Sequence, residues 1–564
     1  MVEEVPVAAQ TSINVLAQCS TKNSERDFHQ IGKEYGLTIP VPLTDVQISK
    51  GVQIPVVLLS SWFRFLLNLN LWHTLSGLDA RDDDRCKSQW GTFWTRYERI
   101  MPNHQVFDLA RNGSIVLERT AAIIIHGDEG RSKKKNAIMI LSAHSCLGKG
   151  CAVENRRATL KTDFAKQDVN IVGNTWTTRW LLGVLPKGYY DAKKGDTDAY
   201  DRMTEALVDD MNEILANGCM SATGEKFWLA VISVIGDWPF HQKTFHLTRT
   251  FGSVAKRPSS QTASKGICMH CLADQSGYPW EDFESANPNW RSTVGVSPPF
   301  GRDPIFLQLP HDPEMPTSIM GMDLFHGFHL GAGKVFVSSC LVLVSEEMEG
   351  SSVPKRFEQL HDVFFDWCQK KKQRPYIKRL SQETIKWMQT TEFPSGAWSK
   401  GSTTTCLLKF IIDFCKEREN SLRGKILQKC YLAAVEIDSF FSKLFKEGIW
   451  IHGSKALEIS AHGFKFLKLN GRIAYQAFQM GRPLFPFMPN LHRLHEVFFL
   501  MVDQVKLAGF CISPLIWMCQ MEEDYIGKPS RISRRVSCRR ACQRTIQRSL
   551  LATYAHLRDA QIIK

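Results

Sequence analysis

Two apolar runs in the middle of the chain each lead into an acidic residue, and this pairing restricts the fold more than any other feature. Residues 121–127 read AAIIIHG and are followed by Asp128, while residues 227–235 read FWLAVISVI and lead through one glycine to Asp237. Isoleucine, valine and aromatic residues in such density favour buried strands. We therefore expect two buried strands that each deliver a carboxyl group at their end.

Three further elements separate these two runs. The sequence predicts a strand over residues 137–142, a third strand over residues 175–185 and a helix over residues 198–217, with Gly218 where a helix C-cap belongs. The order strand, strand, strand, helix, strand is that of a ribonuclease H-like fold. In that fold the first strands form a meander, and the fourth lies parallel to the first after a right-handed crossover.

In this layout Asp128 and Asp237 lie on adjacent strands, and we expect their carboxyl groups within about 7 Å of each other, close enough to share two divalent metal ions. Such ions activate a water or a 3′ hydroxyl and stabilise the leaving oxygen of a phosphodiester. Mg²⁺ (or Mn²⁺) suits carboxylates and phosphate oxygens. Glu129 is expected to face away. A plain hairpin with a polar tip, within residues 121–150, is the simpler interpretation of the same stretch.

A pair of thiols follows the fourth predicted strand. Cys268 and Cys271 stand in GICMHC, a spacing typical of half a zinc site, and His326 and His329 in DLFHGFH would share one face of a helix. Together these residues predict a closed tetrahedral zinc site. Three other residues remain alternative ligands: His270, Asp323 and Cys340. Two loop thiols and two core histidines would be the simpler interpretation.

A third metal-binding acid is expected near the end of the chain. His492, His495 and Glu496 lie in HRLHE and cluster on one helix face, with Asp503 two turns further on the same side. We expect either Glu496 or Asp503 to complete the catalytic site. An amphipathic helix with a polar edge explains the same pattern equally well.

The charge of the chain favours a polyanionic partner. The formal net charge is +13 over 564 residues, a balance typical of proteins that bind nucleic acid. An arginine-rich C-terminal stretch could bind phosphates, act as a nuclear address or form a solvated helix face. We expect DNA contacts from Lys133, Lys134, Lys135, Lys400, Arg531, Arg534, Arg535, Arg539 and Arg540.

Other features concern the cellular compartment. Residues 1–23 lack the apolar core of a secretory signal, and residues 54–71 are interrupted by polar side chains, as in a buried or amphipathic helix. The 16 cysteines lie mostly in apolar runs, which indicates reduced thiols. We expect a protein of the nucleus or cytoplasm, neither secreted nor in a membrane.

The predicted class is α/β, with a ribonuclease H-like core, a large helical insertion and helical flanks. Trp62, Trp72, Trp90 and Trp94 are expected in the core of the N-terminal flank. The expected regions are an N-terminal helical region (1–105), the first part of the core (106–250), a Cys/His zinc-binding segment (251–345), a helical insertion (346–485), a helix that completes the core (486–527) and a basic C-terminal tail (528–564).

These blocks together resemble the DDE-type transposases of cut-and-paste DNA transposons, most nearly the CACTA-like group and its Plavaka relatives. The resemblance rests on five motifs in order across residues 121–527: HGDEGR, GDWPF, GICMHC, DLFHGFH and HRLHE. It implies Mg²⁺-dependent DNA cleavage and strand transfer at Asp128 and Asp237. In that group paired glutamates follow the late histidines within a turn, whereas here Glu496 comes at once and Asp503 is next. The third catalytic residue therefore stays open between them.

The N-terminal part contains no recognisable DNA-reading module, which suggests a truncated, decayed or domesticated copy of a transposase. A catalytically inactive derivative of the same fold, which binds nucleic acid or protein, is the alternative to an active enzyme. In either case the chain could form a homo-oligomer.

Overall fold

The structure, a computed structural model, describes residues 24–150, 167–191, 198–254 and 264–563, together with residues 14, 15, 17 and 19. Most of the expected N-terminal region before residue 24 lies outside these residues. The strands are β1 Thr44–Ser49, β2 Val52–Val56, β3 Thr120–Arg131, β4 Ala137–Ser145, β5 Leu147–Gly148, β6 Asp168–Val169, β7 Trp180–Pro186, β8 Cys219–Met220, β9 Lys226–Gly236, β10 Trp450–His452 and β11 Phe510–Ile512.

Helices make up most of the remaining described residues. The α-helices are α1 Ser24–Glu34, α2 Leu59–Asn68, α3 Trp72–Leu75, α4 Asp83–Ile100, α5 Val106–Arg111, α6 Thr175–Thr178, α7 Ala199–Asn217, α8 Trp238–Thr244, α9 Gly333–Glu346, α10 Val353–Lys370, α11 Gly401–Glu417, α12 Ile426–Leu444, α13 Gly453–Gln479, α14 Pro489–Ala508, α15 Gln520–Ser533 and α16 Ala541–Asp559. A π-helical segment, Phe325–Ala332, runs directly into α9. Short 3₁₀ turns lie at Leu117–Arg119, Lys133–Lys135, Lys187–Tyr189, Phe251–Ser253, Asn289–Thr293, Ile305–Gln308, Pro316–Ile319, Pro514–Trp517 and Cys538–Arg540.

A curled, mixed five-stranded sheet lies at the centre, in the order β7-β4-β3-β9-β8. Strand β9 pairs in parallel with β3, and the other pairs are antiparallel. The four predicted strands and the predicted helix all form, in the predicted order. The third strand begins later than expected, because Asn174 accepts a hydrogen bond from the backbone N–H of Trp176 and starts α6 there.

Helices cover both faces of this sheet. A β-carbon on Gly183 of β7 would lie 3.2 Å from the sulfur of Met203 in α7, which places α7 on that face. The pairing of β7, β4 and β3 puts Asp128 and Gly130 on the opposite face, because side chains alternate along a strand. On that face Ser530 of α15 packs closely against the strand. A β-carbon added to Gly130 would lie 2.8 Å from the β-carbon of Ser530. Asp128 therefore points towards α15.

The C-terminal region, where we expected a basic tail over residues 528–564, is part of the fold. Helix α15 continues across residue 528 and packs on β3 and β4, while α16 packs on β7 and β2. The apolar face of α16 explains this, since Ile546, Leu550 and Leu557 are all buried. The sequence pattern emphasised the arginines and not the apolar positions between them.

The region between α9 and α14 is helical, as predicted. The helices expected over residues 351–372, 406–417 and 425–447 form as α10, α11 and α12, whereas residues 384–389 form irregular turns. Lys386 in that stretch has a φ of 50°, which a continuing right-handed helix does not allow.

The N-terminal flank is built around aromatic side chains. Trp62, Trp72, Trp90 and Trp94 are each at most 4% exposed, which confirms their prediction as core residues. One stretch of the described residues, Phe325–Glu346, is long and apolar enough to cross a membrane, but 89% of its most apolar part is buried inside the fold. Its position is that of a core helix and not of a membrane span.

Candidate metal centres

The first centre lies where β9 ends beside β3. Gly127 and Gly236 face each other in the parallel pair, so Asp128, which lies within β3, and Asp237, which directly follows β9, are neighbours. Paired strands lie about 4.8 Å apart. Burial, together with the negative charge of Asp128, raises the pKa of Asp237 to about 6, and burial also raises the pKa of Asp128. The predicted pair of acids is thus brought together.

The ring of Phe240 explains why each of these acids follows a glycine. A β-carbon on Gly127 would lie 2.1 Å from Cε2 of Phe240, and one on Gly236 would lie 2.3 Å from its Cδ1. Any larger residue would displace the ring. The backbone N–H of Phe240 in turn donates to Oδ1 of Asp237 at 2.8 Å, which caps α8 and orients the carboxylate.

A third acid reaches the same edge from α15. Glu523 shares a hydrogen bond with Asp128, and burial and the charge of Asp128 raise the pKa of Glu523 to about 8. At neutral pH Glu523 therefore carries the proton of this bond. Its Oε1 atom is buried, accepts no hydrogen bond from any described residue and lies 3.5 Å from Nε2 of His326.

The two acids expected to complete this site lie elsewhere. Asp503 is exposed and pairs with Arg291 at 2.7 Å, while Glu496 is buried in the second centre described below. The sequence interpretation missed Glu523. A local signal existed, since Glu522 and Glu523 open a helix soon after the short apolar strand β11.

A buried ion pair fixes α15 against the sheet, one residue before Glu523. Arg179 donates to Oε1 of Glu522 from Nε at 3.0 Å and from Nη2 at 2.6 Å. Both side chains are at most 1% exposed. Arg179 also donates to the side chain and backbone oxygens of Asn170. The position of Glu523 is therefore set by a contact with the chain just before β7.

His326 stands between the acids of this centre. Its Nδ1 lies 2.6 Å from Oδ2 of Asp323. Burial opposes protonation of His326, but the charge and the hydrogen bond of Asp323 outweigh it and raise the pKa to about 9. Asp323 accepts further bonds from the backbone N–H groups of Phe325 and His326. An imidazolium thus partly balances a group of crowded carboxyls.

The three acids are of the residue type that binds a divalent cation, although they are not among the groups of described residues whose ligand atoms all lie within 4.8 Å of one another. Asp128, Asp237 and Glu523 all have raised pKa values because their negative charges are buried and close together. Hard cations such as Mg²⁺ and Mn²⁺ are bound by carboxylate oxygens. The buried Oε1 of Glu523, which accepts no hydrogen bond within the described chain, is a suitable ligand atom.

A cleft of about 730 Å³ opens onto Asp128 and Asp237, and both acidic and cationic side chains line it. Lys187, Lys243 and Arg302 contribute to its wall. Lys243 pairs with Glu129 and holds the pKa of that carboxyl below its usual value although burial opposes this. Glu129 is therefore bound to a lysine and does not join the three acids.

The second centre contains the two predicted thiols. Sγ of Cys268 lies 2.8 Å from Oε1 of Glu496, and Sγ of Cys271 lies 3.3 Å from Nε2 of His492. One ligand atom from each of the four residues lies within 4.8 Å of the others, and all four residues are buried. Two thiolates, an imidazole and a carboxylate at this spacing suit a closed tetrahedral zinc site.

The four residues of the second centre differ in protonation. Burial and the neighbouring Cys268 raise the pKa of the Cys271 thiol, and Glu496 raises the pKa of His492 to about 10 although burial opposes this, so both must lose a proton to bind a metal. Burial would raise the pKa of the Cys268 thiol, but hydrogen bonds from Cys271 and His492 lower it to about 7. Burial likewise disfavours charge on Glu496, yet the neighbouring His492 holds its pKa at about 2. Thiolate and carboxylate are the forms that bind zinc.

The histidines predicted beside the thiols lie at other places. His326 belongs to the first centre, and Nδ1 of His329 lies 3.3 Å from Oγ1 of Thr405 while its ring packs on Phe441. The alternative ligands also lie outside this set of four. Asp323 pairs with His326, and Cys340 lies beside Cys430. His270 donates its backbone N–H to Sγ of Cys268. His492 and Glu496, four residues apart on α14, take the places expected for His326 and His329.

The basic residues expected to bind DNA lie in the β3–β4 turn, in the C-terminal segment and at Lys400. Arg534 donates to the backbone oxygen of Arg131, so the end of α15 lies against the β3–β4 turn. The side chain of Lys135 lies outside the described part of the chain. Lys400 is separate from the other basic residues: it directly precedes α11, and the start of α11 packs on Phe325. The exposed basic residues along the turn and the C-terminal segment are Lys133, Lys134, Arg531, Arg534, Arg535, Arg539 and Arg540.

No protein-family model matches this chain, and no curated protein matches it by sequence. What the protein does must therefore be inferred from the two centres and the surfaces around them.

Proposed function

We propose that this protein is a metal-dependent enzyme that cleaves and joins DNA strands, built on a ribonuclease H-like core as in DDE-type transposases. The observation that carries the proposal is the convergence of Asp128, Asp237 and Glu523 at one edge of the sheet. Two acids come from adjacent parallel strands and the third from a helix packed across them. The strand order and the parallel β3–β9 pair support the same fold.

Asp128, Asp237 and Glu523 would hold Mg²⁺ or Mn²⁺. When bound, such ions activate a water or a 3′ hydroxyl and stabilise the leaving oxygen of a phosphodiester. Glu523 must lose its proton before it can act as a ligand, since its pKa is about 8. His326 keeps a positive charge beside the three acids, and Asp323 orients it.

DNA is the proposed partner. The exposed Arg531 lies eight residues beyond Glu523 on one helix, about 12 Å along its axis, and Arg131 lies three residues beyond Asp128 on one strand, about 10 Å away. The basic surface of the β3–β4 turn and α15 is therefore within a few nucleotides of the acids. Lys187, Lys243 and Arg302 line the cleft itself, where a phosphate group would approach. Such an enzyme acts in the nucleus.

The second centre is proposed to bind structural zinc through Cys268, Cys271, His492 and Glu496. It joins a segment of irregular chain to α14, two parts of the sequence that are more than 200 residues apart. All four side chains are buried, which leaves no open position for a substrate. Its role would be to hold the fold together.

Nicking of supercoiled plasmid DNA tests the catalytic proposal. The parent protein should nick with Mg²⁺ or Mn²⁺ and be inactive in EDTA. Asp128→Asn, Asp237→Asn and Glu523→Gln should each abolish nicking and leave DNA affinity nearly intact, because phosphate contacts come from other residues. Asp503→Asn is the matched control, since Asp503 is exposed and outside the centre, and it should cut like the parent.

Two outcomes would contradict the proposal. If Glu523→Gln cuts as well as the parent, α15 does not supply a metal ligand. If the parent binds DNA but never cuts it with either ion, a non-catalytic nucleic-acid-binding derivative of the fold is the better account.

A further inference from the structure

A second concentration of positive charge lies in the helical region, away from the residues discussed above. The segment that begins at the last residue of α10, residues 370–379, reads KKKQRPYIKR and is called the basic loop here. Six of its ten residues are lysine or arginine, and none is acidic. Its charge is therefore denser than that of the whole chain.

The basic loop is held in a defined shape at both ends. At its start the backbone N–H of Gln373 donates to the oxygen of Cys368 at 2.8 Å. Directly after it, Leu380 is 1% exposed and donates its N–H to Nδ1 of His361 at 3.1 Å. Pro375 further restricts the backbone. The cations are thus presented on a fixed backbone, which lowers the entropy lost on binding a partner.

Acidic neighbours pair with the cations at the two ends of the loop. Lys370 pairs with Asp366, Lys371 with Asp413 and Arg379 with Glu358. The three cations in the middle form no ion pair with any described residue, and all three side chains are exposed: Lys372, Arg374 and Lys378. Their charges are directed to solvent and available to an anionic partner.

An exposed aromatic ring lies among these three cations. Tyr376 is 71% exposed, stands two residues from both Arg374 and Lys378, and makes no ring contact with another described aromatic residue. An acidic peptide would need the charges but not the ring. Cations that follow a phosphate backbone, together with an aromatic face on which a base can stack, are the chemistry that binds unpaired nucleic acid.

We propose that the basic loop binds a single-stranded segment of nucleic acid. Tyr376 stacks on a base, and Lys372, Arg374 and Lys378 contact the phosphates on either side. The proposal rests on the proposed function only for the source of the single strand, because cleavage of a duplex produces ends at which the two strands can separate. The binding itself is measurable without any cleavage.

Fluorescence anisotropy of a labelled single strand of roughly 20 nucleotides, in EDTA and with the full-length chain, tests the proposal. The same sequence as a duplex is the second probe. Tyr376→Ala should weaken single-strand binding about tenfold and change duplex binding little, because stacking requires an unpaired base. Tyr376→Phe keeps the ring and should bind like the parent.

The combined variant Lys372→Gln/Arg374→Gln/Lys378→Gln tests the phosphate contacts. Removing three contacts should reduce the slope of log affinity against log salt by about 2 for the single strand. A matched control, Lys50→Gln/Lys226→Gln/Lys446→Gln, removes the same charge from three other exposed positions and should leave the slope unchanged.

The proposal is overturned if Tyr376→Ala binds the single strand as tightly as the parent, if the control variant loses as much affinity as the loop variant, or if polyglutamate competes as well as the oligonucleotide; any one of these results would show a general anion-binding surface only. Asp128→Asn should bind the oligonucleotide normally. If the parent binds the oligonucleotide but does not nick plasmid DNA, the proposed function fails and the loop proposal stands. If the parent nicks plasmid DNA but does not bind the oligonucleotide, only the loop proposal fails.

Discussion

The backbone N–H of Cys519 donates a hydrogen bond to Oδ1 of Asp323 across 3.0 Å, and this bond joins the start of α15 to the π-helical segment. The other oxygen of the same carboxylate holds His326. One buried side chain therefore orients the histidine and, through α15, the acid Glu523. Asp323 is a positioning residue of the first centre.

Replacing Asp323 by asparagine tests this link. Asp323→Asn keeps the shape but removes the charge and one acceptor, so the pKa of His326 should fall from about 9 towards neutral. An unpaired buried donor should lower the free energy of unfolding by about 1–3 kcal/mol. Histidine NMR titration and urea unfolding measure the two effects. An unchanged His326 pKa would contradict the role of Asp323, and Asp503→Asn serves as the exposed control.

The first centre should make stability depend on pH with an unusual sign. The pKa of Glu523 is about 8 in the folded chain against 4.5 as its ordinary value, and that of Asp237 is about 6 against 3.8. The folded state therefore holds protons that the unfolded state has released, and the metal-free protein should lose stability as pH rises through this window. Added Mg²⁺ replaces those protons, so it should stabilise more at high pH.

Thermal unfolding between about pH 5 and pH 9, with and without Mg²⁺, measures this dependence. Glu523→Gln cannot ionise at that position and should flatten the metal-free slope. A metal-free melting temperature that rises across the window would show that the carboxyls are not crowded as described.

The second centre should contain one zinc ion per chain. Cys268→Ser and His492→Ala should each lose the metal and lower the free energy of unfolding by several kcal/mol, because the binding energy of a structural site is part of the folding energy. Elemental analysis and chemical unfolding measure both changes. Cys340→Ser removes another buried thiol outside the centre and should retain the zinc. Full zinc content in Cys268→Ser would rule out this ligand set.

Gly236 should be intolerant of a side chain because of Phe240. Gly236→Ala forces a β-carbon into the ring and should lower the free energy of unfolding by about 1–3 kcal/mol, while weakening Mg²⁺ binding through displacement of Asp237. The double variant Gly236→Ala/Phe240→Leu should be less unstable than the sum of its single changes. Gly188→Ala is the control, since nothing lies within 4 Å of a β-carbon there.

The pair Arg179 and Glu522 should be strongly coupled. Arg179→Met leaves a buried carboxylate without its partner and should lower the free energy of unfolding by about 3–5 kcal/mol. Adding Glu522→Gln should recover part of that loss, as a double-mutant cycle in urea would reveal. Strict additivity would mean that the two side chains do not interact.

The strands that carry Asp128 and Asp237 could be predicted because their apolar runs, their glycines and the helix between them are local patterns. The half-site formed by Cys268 and Cys271 could be predicted for the same reason, since their spacing is a local pattern. Glu523 was not, since it stands 395 positions after Asp128 (523 minus 128) and only the packing of α15 on the sheet brings it near. The spacing of His492 and Glu496 predicts a helical cluster, but nothing in that spacing specifies that two distant thiols lie against the same helix face.

The late position of Glu523 also affects the chain during its synthesis. A ribosome completes all five strands of the central sheet before residue 240 and must add almost 300 further residues before the third acid exists. Until then the chain has the basic β3–β4 turn but lacks one of the three acids of the first centre. Under the proposed function, a product that stops between α14 and α15 would still carry all four residues of the second centre, and it would occupy DNA as a competitor of the full-length enzyme.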